Sequence, residues 1–147
     1  MIATILIYLL VALLALVFIC GYVRYYSAPK PIEPVVRDAE AWQAKREALE
    51  EQYGLLTREI IFTHYQDDVS DNAFVFDDSE VLLLMGRPIA YDKIERATLE
   101  FAGEYVLKIW VEGIEGHYLT QSTDNGSAAN ELKAELDRII ALHTSAE

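Results

Sequence analysis

The first 23 residues, Met1 to Val23, carry no charged side chain, and every Asp, Glu, Lys and Arg of the chain lies from Arg24 onward. Taken as a helix, this stretch is about 33 Å long, against about 30 Å for a bilayer's hydrocarbon core. A helix satisfies its own backbone hydrogen bonds in lipid, so the segment predicts a transmembrane helix over 1–23. Tyr22, Tyr25 and Tyr26 would form an aromatic belt at its exit. A cleaved signal peptide fits less well. No Lys or Arg precedes the run, and Tyr26-Ser27-Ala28 sets a bulky residue where a small one is needed. Phe18 and Ile19 are too large for lipoprotein processing at Cys20. Arg24, Lys30 and Arg37 follow the run, so the positive-inside rule predicts a single-pass inner-membrane protein. Its N-terminus would be outside, its C-terminal domain cytoplasmic, and its lipid contact would fall on residues 1–26.

The remaining residues make a strongly acidic body. Acids outnumber bases 24 to 12, for a net charge of −12, which excludes non-specific nucleic-acid binding. Hydrophobic residues make up 52% of the chain, too many for a disordered one. The single cysteine excludes an intrachain disulfide and any zinc site with two or more cysteines. Pro29, Pro31 and Pro34 predict an extended, basic juxtamembrane linker over 24–37. Asp38 can cap a helix over 38–54 that stops at Gly54. Its stripe of Trp42, Leu49 and Tyr53 can dock on the following domain or on a second copy. One short stripe is a weak coiled-coil signal, which favours docking.

From Arg58 the hydrophobic period becomes strand-like. Strands are predicted over 60–65, 73–76, 81–85, 89–91, 94–101, 105–112 and 117–122. Val81 to Met85 is apolar at every position, so both of its faces want cover, with Trp42, Leu49 and Tyr53 available for one. In the last three strands, Phe101 opposite Tyr105 sets Leu99 opposite Leu107 and Ala97 opposite Ile109. Glu112 opposite His117 sets Val111 opposite Tyr118. Both turns then place one apolar face inward. The outer face would carry Arg96, Thr98, Glu100, Lys108, Trp110 and Leu119. Ser127 is the expected N-cap of a helix to Leu142 or His143, with Leu132, Leu136, Ile139 and Ile140 on one side.

About seven short antiparallel strands and one amphipathic helix, over about residues 58–143, resemble the pleckstrin-homology-like fold, including its bacterial versions. Phe76-Asp77-Asp78-Ser79 leading into Val81–Met85, and Ile89-Ala90-Tyr91-Asp92-Lys93-Ile94, are similar to segments of such domains. The expected fold is therefore α+β: an N-terminal transmembrane helix, then over 55–147 a mostly antiparallel, PH-like, partly open β-barrel closed by the C-terminal helix. The resemblance implies an interaction or scaffolding module, sometimes one that binds a phosphoinositide. The loop matching the phosphoinositide hairpin is Gln66-Asp67-Asp68-Val69-Ser70-Asp71-Asn72. Its acids would repel an inositol phosphate, so that function is not carried over.

Two groups of residues stand out for function. Asp67, Asp68, Asp71, Asp77 and Asp78, with Glu80, are acids that could hold a divalent cation, although their spacing is not that of an EF-hand. Arg96, Lys108, Trp110 and Leu119 form a candidate partner-binding patch, an exposed Trp beside an Arg and an aliphatic. The competing expectation is that the Trp42 helix covers Trp110. His64, His117 and His143 have no zinc-ligand spacing, and neither a nucleophile elbow nor a phosphate-binding glycine loop occurs. The sequence thus predicts a non-enzymatic, cofactor-free, membrane-anchored adaptor or accessory subunit with a membrane-protein partner and no small-molecule substrate. The alternatives are a cation-responsive sensor using the 67–80 loop and a peripheral lipid-binding domain.

Overall fold

The computed structural model describes the backbone of residues 2–27, 33–114, 116 and 118–144, and the side chains of 7–23 and of those same residues from 33 onward. Two compact units result, 1–30 and 31–147. The first is the helix α1 (Ile2–Ser27). Its described side chains, 7–23, are all exposed and apolar or small. Among the described residues no helix is long and apolar enough to cross a membrane. That finding overturns the predicted transmembrane helix, with the single-pass, inner-membrane and cytoplasmic-domain assignments that rested on it. Of the predicted linker, residues 28–32, with Pro29, Lys30 and Pro31, lie outside the described residues.

The second unit opens with α2 (Ala39–Tyr53), capped by Asp38, whose carboxylate accepts from the Glu40 and Ala41 N–H groups at 3.1 Å. Gly54 ends the helix at φ 88°, a conformation that suits glycine. Seven strands follow: β1 (Arg58–Ile60), β2 (Ala73–Phe76), β3 (Val81–Leu84), β4 (Arg87–Ala90), β5 (Ile94–Phe101), β6 (Tyr105–Val111) and β7 (Tyr118–Thr123). The chain ends in α3 (Gly126–Thr144). The strands make two separate antiparallel sheets, ordered β1-β2-β3-β4 and β5-β6-β7. This corrects the expected partly open barrel: the strands form two separate sheets rather than one barrel wall, and α3 packs into the core that they share. The main core joins Val75, Leu82 and Leu84 of one sheet, Leu107 and Ile109 of the other, and Leu132, Leu136 and Ile139 of α3.

Local chemistry explains where elements stop. The strand predicted over 60–65 ends at Ile60, because buried Asn72 takes the place of a strand partner. Its Oδ1 accepts from the N–H groups of Phe62 (2.8 Å) and Thr63 (3.2 Å), and its Nδ2 donates to the Tyr65 carbonyl. The cap of α3 is Asn125, which accepts from the Ala128 N–H at 3.2 Å, rather than Ser127.

β2 is buried throughout and β3 at every residue but the partly buried Val81, because both are covered on both faces. Ala73, Val75, Leu82 and Leu84 point into the main core. Phe74, Phe76 and Leu83 point the other way, onto α2, with Trp42 and Leu56 buried among them and Leu49 and Tyr53 packed alongside. Trp42 meets Phe74 at 5.7 Å between ring centroids, and Tyr53 meets Phe76 at 5.3 Å. The apolar stripe of α2 thus docks on the four-stranded sheet.

Candidate functional site

Among the described residues no element covers the outer face of the second sheet in this way. The β5–β6 register is the expected one, with Phe101 opposite Tyr105, Leu99 opposite Leu107 and Ala97 opposite Ile109. The β6–β7 register differs by one residue from the expected one: Trp110, not Val111, lies opposite Tyr118, and Ile109 lies opposite Leu119. A one-residue slip exchanges the two faces of a strand. Leu119 therefore sits in the main core, 8% exposed, and leaves the candidate patch, while Tyr118, 43% exposed, joins it.

The outer face consists of three cross-strand rows: Arg96, Trp110 and Tyr118; Thr98, Lys108 and Thr120; Glu100, Val106 and Ser122. The Arg96 guanidinium lies 3.9 Å from the Trp110 ring centroid, and the rings of Trp110 and Tyr118 are 5.4 Å apart. The stack runs guanidinium, indole, phenol across three adjacent strands. Lys108 donates to Glu100 at 3.0 Å, which raises the lysine pKa. Arg96 has no ion pair among the described residues. Trp42, expected as a possible cover for Trp110, is instead buried against Phe74 on the other sheet. A groove of about 540 Å³ opens beside the stack, lined by Glu95, Trp110, Glu112, Ile114 and Tyr118.

The acidic residues do not converge. Asp68 accepts from Ser70 Oγ at 2.6 Å and faces Arg37 at 3.6 Å, and its pKa is lowered chiefly by the Ser70 bond. Lys45 of α2 donates to the Asp67 carbonyl, and Arg37 lies over the Tyr65 ring. Through these contacts and the Val35–Tyr65 bridge, the chain entering α2 straps the 64–68 loop. Asp78 lies beside Gly54, at the end of α2. Asp77 belongs to a different assembly. It takes Arg138 Nη2 at 2.6 Å and the Tyr91 hydroxyl at 2.8 Å. Arg138 also pairs with Glu135, itself 2% exposed and bonded to Arg58 at 3.0 Å. This chain of charges fastens α3 to the four-stranded sheet. Burial pushes the Asp77 pKa up, but the bonds from Arg138 and Tyr91 outweigh it and the net shift is downward. Burial and Asp77 raise the Tyr91 phenol.

Among the described residues no three of His, Cys, Asp and Glu come together to hold a metal ion. His64 stands edge-on to Tyr65, and His143 edge-on to Tyr91 near the end of α3. His117 lies outside the described residues. The sequence reading passed over Arg58, Asn72, Glu135 and Arg138. The signal available was an acid and an arginine three residues apart on one helix, Glu135 and Arg138. No family profile, curated protein or solved structure matches this chain.

Proposed function

We propose that the protein is a non-catalytic interaction module that binds a protein partner on the outer face of the β5–β6–β7 sheet. The observation that carries this reading is the Arg96–Trp110–Tyr118 stack on a sheet face that no described element covers. Trp, Tyr and Arg dominate binding energy at protein interfaces, because they combine large contact area with a polar or charged handle. Stacking on indole holds the guanidinium plane, so less of its freedom is lost when it grips a ligand. In a chain of net charge −12, this face has two cations, Arg96 and Lys108, against one acid, Glu100. The partner chemistry it fits is a segment that sets an apolar side chain against Trp110 and Tyr118 and a carboxylate against Arg96. The resemblance to pleckstrin-homology-like domains, itself a proposal here, agrees with a scaffolding role.

The test is a photo-reactive residue at Lys108, introduced into the full chain in its native cells. A discrete cross-linked partner is expected, lost on Arg96→Ala and on Trp110→Ala while both variants still fold and melt cooperatively. Cross-linking that survives both substitutions, or unfolding of Trp110→Ala, would refute the reading.

A further inference from the structure

The four outer edges of the two sheets are not alike. β1 is three residues long and carries Arg58 and Glu59. β4 contains Arg87 and Pro88. β5 has a bulge between Ile94 and Arg96 and carries Glu95, Arg96 and Glu100. Shortness, proline, bulges and charge are the devices that keep an edge from pairing with another chain. β7, Tyr118-Leu119-Thr120-Gln121-Ser122-Thr123, has none of them. It is six residues long, uncharged, free of proline and regular in its ladder with β6. Among the described residues its main chain makes no backbone hydrogen bond outside that ladder. The one side-chain bond to it is a long one, Gln121 Nε2 to the Ser122 carbonyl at 3.4 Å.

We infer that β7 pairs antiparallel with β7 of a second copy about a two-fold axis at Thr120. Charge selects this occupant. Two chains of net charge −12 repel, and they can meet strand to strand only where no like charges face each other. With the axis at Thr120, Thr120 faces the copy's Thr120, Tyr118 faces the copy's Ser122, and Leu119 faces the copy's Gln121. No pair in this register is charged. The two-fold also keeps faces together, since Tyr118, Thr120 and Ser122 all lie on the outer face. The product is a six-stranded sheet, β5-β6-β7-β7-β6-β5, with two Arg96–Trp110–Tyr118 stacks on one surface. The inference rests on the β7 edge and not on what binds Trp110, so either can fail alone.

Cysteine cross-linking in the full chain tests it, with Cys20→Ser removing the native thiol. Thr120 and Ser122 are both exposed, so cysteine replaces them without disturbing the core. Residues directly opposite across antiparallel strands have Cα atoms about 5 Å apart, within disulfide reach, whereas Ser122 and its own copy would be about 13 Å apart. Thr120→Cys should therefore form a disulfide dimer about 10-fold faster, or more, than Ser122→Cys or the β5 control Glu100→Cys. A mixture of Tyr118→Cys and Ser122→Cys chains should cross-link to each other and not to themselves. Association through any other surface, including the exposed apolar helix α1, would label the three single positions alike. Equal rates at Thr120, Ser122 and Glu100, or no dimer at Thr120, overturns the inference.

Discussion

The two sheets are built to the same inner plan and finished differently outside. In the four-stranded sheet, β2 and β3 are apolar at every position, and both faces are buried, one on the main core and one on α2. In the three-stranded sheet, β6 reads Tyr-Val-Leu-Lys-Ile-Trp-Val, with Leu107, Ile109 and Val111 buried and Val106, Lys108 and Trp110 only partly so. A continuous apolar run announces a strand covered twice, and an alternating one announces a strand covered once. Each sheet displays a tryptophan on its outer face region, with opposite consequences. Trp42 is 6% exposed and fills a core, whereas Trp110 is held by a cation and a phenol at the surface.

The comparison breaks most easily at the two tryptophans. Trp42→Ala should cost about 3–5 kcal/mol, because it empties the layer between α2 and the Phe74–Phe76 face. Urea unfolding measures this, and a loss near zero would mean that α2 is a loose cover. A smaller effect is expected at Asn72→Ala, about 1–3 kcal/mol, from leaving the Phe62 and Thr63 N–H groups without their acceptor. Hydrogen exchange should then place the new opening in residues 61–72, with the β5–β6–β7 sheet unchanged.

Acid sharpens the contrast between the inner attachments of the sheets. Asp77 has a lowered pKa in the folded state, so the native protein binds fewer protons there than the unfolded chain. Its contribution is present above the ordinary carboxylate pKa of about 4 and is lost as pH falls through the lower folded value. Below pH 4, protection should fall first where α3 is clasped to the four-stranded sheet through Asp77, Arg138, Glu135 and Arg58. The apolar contacts of α3 with the other sheet do not titrate. Asp77→Asn should flatten this part of the pH profile, and an unchanged profile would remove the clasp from the account. The smallest effect belongs to Trp110→Ala, about 1 kcal/mol or less, the scale of an exposed cation–π contact. A loss comparable to that of Trp42→Ala would make Trp110 a core residue.

Much of the second unit could be read from residue patterns, where a local rule acted alone. Asp38 capped α2 and Gly54 ended it, because caps depend on neighbours within one turn. The Phe101–Tyr105 register followed from a tight turn between alternating strands. The β6–β7 register did not, because the longer connection around Gly113 and Gly116 allows more than one pairing. That single residue moved Leu119 from the candidate patch into the core and brought Tyr118 out. The acidic residues were misleading for a related reason. Adjacent in sequence, Asp67 and Asp68 fold under the strap before α2, while Asp77 turns toward α3. The opening apolar run suggested a bilayer-spanning helix, and among the described residues no helix is long and apolar enough to cross a membrane.

The sequence by itself determined which segments extend, which coil, and which strands need two covers, since these follow from side-chain period and backbone preference over a few residues. Only the tertiary structure decided what lies on each face. It set α2 on the four-stranded sheet, left Arg96, Trp110 and Tyr118 uncovered by any described element, and split the acids between two sets of partners. Those outcomes depend on contacts between residues far apart in the chain, such as Asp77 with Arg138, for which neither spacing nor composition supplies a rule.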